Sequence, residues 1–153
     1  MAVYATAKEV IDTLLVRLRA GTGLENVVWR KGAQRSIKLG AGEEALGIVT
    51  LAGAPEGEQP AGSGNHWWQW WDVTVALFVP DQPDDPGTAE DLRLDLVEAV
   101  HGVIHQLDTR SLVGGAKTGR VKSVTCGVGP ALEEAEQTFR WAEWTLTWRI
   151  LRA

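Results

Sequence analysis

The sequence predicts a single α+β domain, an antiparallel-rich β-sheet with two helices packed on it in the order α-β-β-β-α-β-β. Three observations predict it. Two stretches carry apolar residues at helical spacing, around residues 7–19 and 88–107. Two long stretches, from about Trp67 to Val79 and from Thr138 to Leu151, alternate apolar and polar residues at period two. Length does the rest: 153 residues with 44% hydrophobic content suit one core, so residues 1–153 are read as one domain.

Thr6 followed by Glu9 forms a capping box, and Val10, Ile11, Leu14, Leu15 and Leu18 make one apolar stripe behind it. Arg17 and Arg19 fall in the last turn, where the helix dipole favours cations, and Gly21 and Gly23 end the helix. Val27 to Trp29 and Ile48 to Leu51 read as short strands around a charged, Gly-punctuated loop at about 30–44. A second long loop is expected at 53–65, where Gly53, Pro55, Gly57, Pro60, Gly62 and Gly64 leave almost nothing apolar. In the strand that follows, Trp71, Val73, Val75, Leu77 and Val79 share one face and Asp72 and Thr74 the other, until Pro80 stops it.

Thr88 is expected to cap the second helix, with Asp91 in its first turn. Its apolar stripe is Leu92, Leu96, Val100, Val103, Ile104 and Leu107; Asp91, Glu98, His101 and His105 fall opposite. A glycine-rich link at Gly114 to Gly119 leads to a short strand, Val121 to Val128, and then to the last long one. There Ala142, Trp144, Leu146, Trp148 and Ile150 alternate onto one face, whereas Phe139 and Trp141 have the opposite parity. A bulge, or a Trp141 that faces something other than the core, would account for that.

Net charge is -5, unevenly spread. Residues 1–40 carry +4, residues 41–108 carry -12 with Arg93 as their single base, and residues 109–153 carry +3. Such segregation describes surface fields: an acidic flank and basic ends suit contact with copies of the chain or with charged neighbours. No Lys/Arg stripe of the kind that grips DNA is visible, which argues against sequence-specific DNA binding. No apolar run approaches the roughly 20 residues of a membrane span, and nothing resembles a secretory signal. Cys126 is the only cysteine, so no internal disulfide framework or all-cysteine metal site exists. The expectation is a soluble product assembled in the cytoplasm.

Candidate chemistry is sparse. Gly40-Ala41-Gly42-Glu43-Glu44-Ala45 superficially matches a dinucleotide fingerprint, but Glu43 and Glu44 put negative charge where phosphates must sit, so a loop is expected. Gly114-Gly115-Ala116-Lys117-Thr118 fails as a phosphate loop, since its Lys does not follow a Gly. Glu98, His101 and His105 share a helix face, yet they lack the His-Glu-x-x-His order that would supply a base, and a solvated or interface-facing surface is expected. Cys126, in a Val-rich strand, reads as a small buried residue. Neither a catalytic residue, a cofactor nor a metal is expected.

The tryptophans, eight beside one Tyr and two Phe, are the informative feature. Trp71, Trp144 and Trp148 share faces with aliphatic residues and belong to the core. Trp68 and Trp70 point the other way, and Trp141 is off-register; large aromatics placed so must meet another layer or form a contact surface. A sugar-stacking platform is a third reading, with Asn65, His66 and Gln69 as the nearby polar groups.

The capped first helix, the long glycine-rich loop, the strand Trp71-Asp72-Val73-Thr74-Val75-Ala76-Leu77-Phe78-Val79, the helix Asp91 to Leu107 and the closing strand Phe139 to Ile150 together resemble the tail-terminator (tail-completion) proteins of long-tailed bacteriophages and related tail-like particles. The resemblance covers almost the full length and rests on architecture and size. It implies a structural virion protein, not an enzyme: a ring, usually a hexamer, that caps the tail tube, stops its growth and joins the tail to the head-closure or neck protein, with DNA passing through the bore. On this reading Lys31, Arg35 and Lys38 of the first loop, and Trp68, Trp70 and Trp141, are candidate subunit or partner contacts. The alternatives are a head-closure or neck adaptor of the same particle, and a Trp-rich small-ligand or carbohydrate-binding domain.

Overall fold

The structure is a computed structural model that describes residues 6–32, 39–52, 56–60, 67–106, 116–129 and 138–152. Helix α1 (Ala7–Arg19) is followed by strands β1 (Val27–Lys31), β2 (Ala45–Leu51), β3 (Glu56–Pro60) and β4 (Trp67–Pro80), helix α2 (Pro86–Gln106), and strands β5 (Ala116–Gly129) and β6 (Phe139–Arg152). The fold is α+β, as the sequence predicts. One sheet runs β1-β2-β4-β6-β5, with β3 also paired to β4. All pairings are antiparallel except β1 with β2.

α1 forms for the reasons its sequence gives. Thr6 is the N-cap, its Oγ1 accepting from the Glu9 backbone N–H at 3.2 Å, and Val10, Ile11, Leu14, Leu15 and Leu18 are buried. The helix lies along the first two strands, where Arg19 donates to the Trp29 carbonyl at 3.0 Å. α2 begins earlier than its sequence suggested. Pro86 takes the first helical position, where a missing N–H costs nothing. Asp85 rather than Thr88 caps the helix: its carboxylate accepts from the Thr88 hydroxyl at 2.6 Å and from the Thr88 backbone N–H at 3.4 Å. Asp91 therefore stands beyond the first turn, which holds no acidic residue. Leu107 lies outside the described residues.

The frame is the β4–β6 ladder, fourteen residues long on each strand and continuous from Trp67 opposite Arg152 to Pro80 opposite Phe139. No bulge interrupts it, so the parity of Phe139 and Trp141 is real and both belong to the face away from the helices. β6 fills one edge of β4 throughout, which puts β3 on the same edge as β2, beyond Ala52, whose N–H donates to the Asp72 carbonyl at 2.9 Å. The expected loop at 53–65 thus contains a strand. β5 is also longer than expected: it begins at Ala116, so Ala116 to Gly119 of the expected glycine-rich link already belong to it.

The core lies between the sheet and the helices. Val73, Val75, Leu77 and Val79 of β4 and Ala142, Trp144, Leu146 and Trp148 of β6 meet the stripe of α1 and Leu96, Val100, Val103 and Ile104 of α2. Burial of these side chains, at about 1.5–3 kcal/mol each, is the main force holding the layers together. Trp71 packs at its margin. The other face has a smaller cluster: Leu46, Ile48, Ala76, Phe78 and Phe139, with Val28, Leu39 and Trp141 packed against it.

Candidate interaction surfaces

Lys31 ends β1 on the helix side and donates to Asp12 of α1. That contact holds the Asp12 carboxyl below the usual aspartate range. Both side chains are nearly half exposed, so the pair contributes little to stability. Arg35 and Lys38 lie outside the described residues. The fingerprint-like segment is a tight turn into β2: the Glu43 carboxylate accepts from the Gly40 N–H at 2.9 Å and Gly42 adopts φ 81°, so an acid occupies the donor a phosphate would need.

Trp68 is placed by its backbone, between Gln59 of β3 and Leu151 of β6. Trp70, half-buried, lies between Glu56 and Arg149 on the face away from the helices. Trp141 shares that face, but its indole lies across Gly127 of β5, where a Cβ would stand only 2.4 Å from the ring. A glycine there lets the aromatic lie directly on the neighbouring backbone. Trp141 is thus half-covered by its own sheet. Lys31 is at one edge of the sheet on the helix side, whereas Trp70 and Trp141 lie on the other face, so the candidate residues do not converge on one patch.

His101 and Cys126 stand differently from the sequence expectation. His101 does not stand on the outward face of α2: its ring packs edge-on against Trp144, 5.6 Å between centroids at 83°. It follows Val100, which is buried in the core, and at 100° per residue the next position stands on the flank of α2, within reach of Trp144. Among the described residues no group of three or more His, Cys, Asp or Glu side chains could hold a metal ion. Cys126 is exposed, not buried. It lies on β5, the last strand of the sheet, and the helices do not reach far enough to cover it.

That edge is what sequence reasoning missed. From Ser123 to Cys126 every residue of β5 is exposed, and Val124 and Val128 keep 41% and 51% of their surface open. The outer edge of β5 pairs with no strand among the described residues. Ser123 to Gly129 carries no charge, so this half of the edge lacks the charged residues that usually protect a sheet edge against strand addition.

Next to it, α2 is fixed to the sheet by a chain of ion pairs. Arg93 donates to Glu90 at 2.6 Å and to the Gly127 carbonyl of β5 at 2.9 Å; Arg140 of β6 bonds Glu90 and Asp81, each at 2.9 Å. The Glu90 carboxyl is held below the usual glutamate range, by Arg93 first and Arg140 second. Because Arg93 is turned inward, the outward side of α2 is left acidic, with Asp91, Asp95 and Glu98 exposed around Leu94. Among the described residues no helix is long and apolar enough to cross a membrane. A scan of the chain against protein-family models finds no match, and a search of curated proteins finds none either.

Proposed function

We propose that the chain is a structural subunit of a phage tail or tail-like particle: a tail terminator that assembles with copies of itself into a ring, most simply a hexamer. The ring seats on the tail tube, stops its growth and presents its other side to the head-closure or neck protein. The work is steric and needs no catalytic residue or cofactor. Supporting this reading are the helix–sheet–helix–hairpin order, which resembles that family, and the charge segregation along the chain. The single observation that carries it is the open β5 edge, with Val124 and Val128 exposed within the uncharged stretch Ser123 to Gly129. Such an edge is suited to contact with another protein chain. An acidic flank from the segment 41–108 would let DNA slide through a bore without sequence-specific binding. The proposed site of action is the virion, after assembly in the host cytoplasm.

The test is to mix the purified protein with isolated, growing tail tubes and image them by electron microscopy. Capped ends and arrested growth are expected. Binding only to tubes that already carry a terminator would instead make it a head-closure or neck adaptor. Bare ends, with Trp fluorescence that responds to added sugars, would make it a ligand-binding domain; the burial of Trp29, Trp144 and Trp148 argues against that. Reversing Lys31 at the end of β1 together with Arg35 and Lys38 beyond it (Lys31→Glu, Arg35→Glu, Lys38→Glu) should weaken joining to partners, and unchanged joining would remove those residues from the interface.

A further inference from the structure

The outward side of α2 shows a stripe of Asp91, Leu94, Asp95 and Glu98, at the i, i+3, i+4, i+7 spacing that puts four residues on one face. Leu94 is 53% exposed within this collar of carboxylates. It is absent from the apolar stripe that holds α2 to the core, so the fold does not account for a leucine there. Elsewhere on the helix layer, where α1 ends against α2, an open groove is lined by Val16, Arg17, Ala20, Gly21, Thr22 and Val103. Val16 is 62% exposed. Gly21 keeps the two helices close at its base, since a Cβ there would stand 2.7 Å from Val103. The two surfaces are complementary: an aliphatic knob ringed by acids, and a shallow apolar groove with an exposed arginine on its rim.

Their placement decides what kind of contact they can make. Leu94 and Val103 are nine residues apart, about two and a half helical turns, so they stand on opposite faces of α2. A two-fold dimer would need knob and groove on one self-complementary patch; on opposite faces each copy must engage two different neighbours, head to tail. We propose that Leu94, with Asp91, Asp95 and Glu98, docks into the α1–α2 groove of a second copy, where Arg17 meets the carboxylates. This rests on the reading of the chain as a self-assembling unit and names the contact that closes the ring.

Sedimentation velocity over a range of concentrations tests it, on the whole chain and on variants whose circular dichroism and Trp emission match the parent. The parent should associate with rising concentration, more weakly as salt is added. Leu94→Asp and Val16→Asp should each weaken association by about tenfold or more. Arg17→Glu, and Asp91→Lys with Asp95→Lys, should each weaken it, and combining the two reversals should restore it. A parent that stays monomeric at every concentration, or a Leu94→Asp variant that associates as tightly as the parent, overturns the proposal. The tube assay separates this from the functional reading. Loss of association in Leu94→Asp while the parent leaves tube ends bare keeps the contact and removes the tail role. A Leu94→Asp variant that caps tubes as well as the parent does the reverse.

Discussion

On the helix side of the sheet, Val75, Leu77, Ala142, Trp144 and Leu146 have no exposed surface, and two helices close over them. On the other side only one end of the sheet is apolar, around Leu46, Phe78 and Phe139. Further along that face the pairs become polar, with the Thr147 hydroxyl donating to Asp72 at 2.6 Å. Both faces use one device, a tryptophan laid over a cross-strand glycine: Trp29 over Gly47 on the helix side, Trp141 over Gly127 on the other. Trp29 is 3% exposed and roofed by α1, whereas Trp141 is half-buried with no helix above it. One face specifies and stabilises the fold; the other leaves Trp141 and the polar pairs around Asp72 only partly covered.

Substitutions can break that contrast. The largest effect is expected from Trp144→Ala on the closed face, about 3–5 kcal/mol of lost stability in denaturant titration, because the cavity has no route to collapse. Gly47→Ala should cost about 1–3 kcal/mol, since the new methyl displaces a packed indole. Gly127→Ala, chemically the same change on the open face, should cost about 1 kcal/mol or less, because Trp141 has solvent to swing into. Equal losses for the two glycine variants would contradict the comparison.

The smallest effect is in pH. Arg93 and Arg140 hold the Glu90 carboxyl below its unfolded value. Its contribution is therefore fully present above the ordinary glutamate range and lost as the pH falls through its folded value. Thermal midpoints should drop on acidification, and Glu90→Gln should flatten that part of the profile.

What was legible in the sequence was what local pattern determines. The cap at Thr6, the five buried residues of α1 and the alternation in β4 and β6 all follow from neighbours within a few residues. β3 was not legible, because Glu56 to Pro60 has no apolar period; it is a strand because the long edge of β4 offers it partners. The cap at Asp85 was legible in principle, from the Pro that follows it. His101 and Cys126 were misread for a tertiary reason. A ring on one flank of a helix, or a small residue on a strand, is covered or open according to which element lies beside it, and that is decided by sheet order. The candidate surface was legible only in part: the tryptophan parities were, but the open end of β5 and the outlying Leu94 needed the packed structure.

Cryo-electron microscopy of the protein seated on tail tubes would show the assembly itself. A closed ring of identical subunits at the tube end is expected, each making one repeated head-to-tail contact, with the β5 edges engaged in protein contacts. Tube ends left bare by a protein that remains a solitary domain would contradict it.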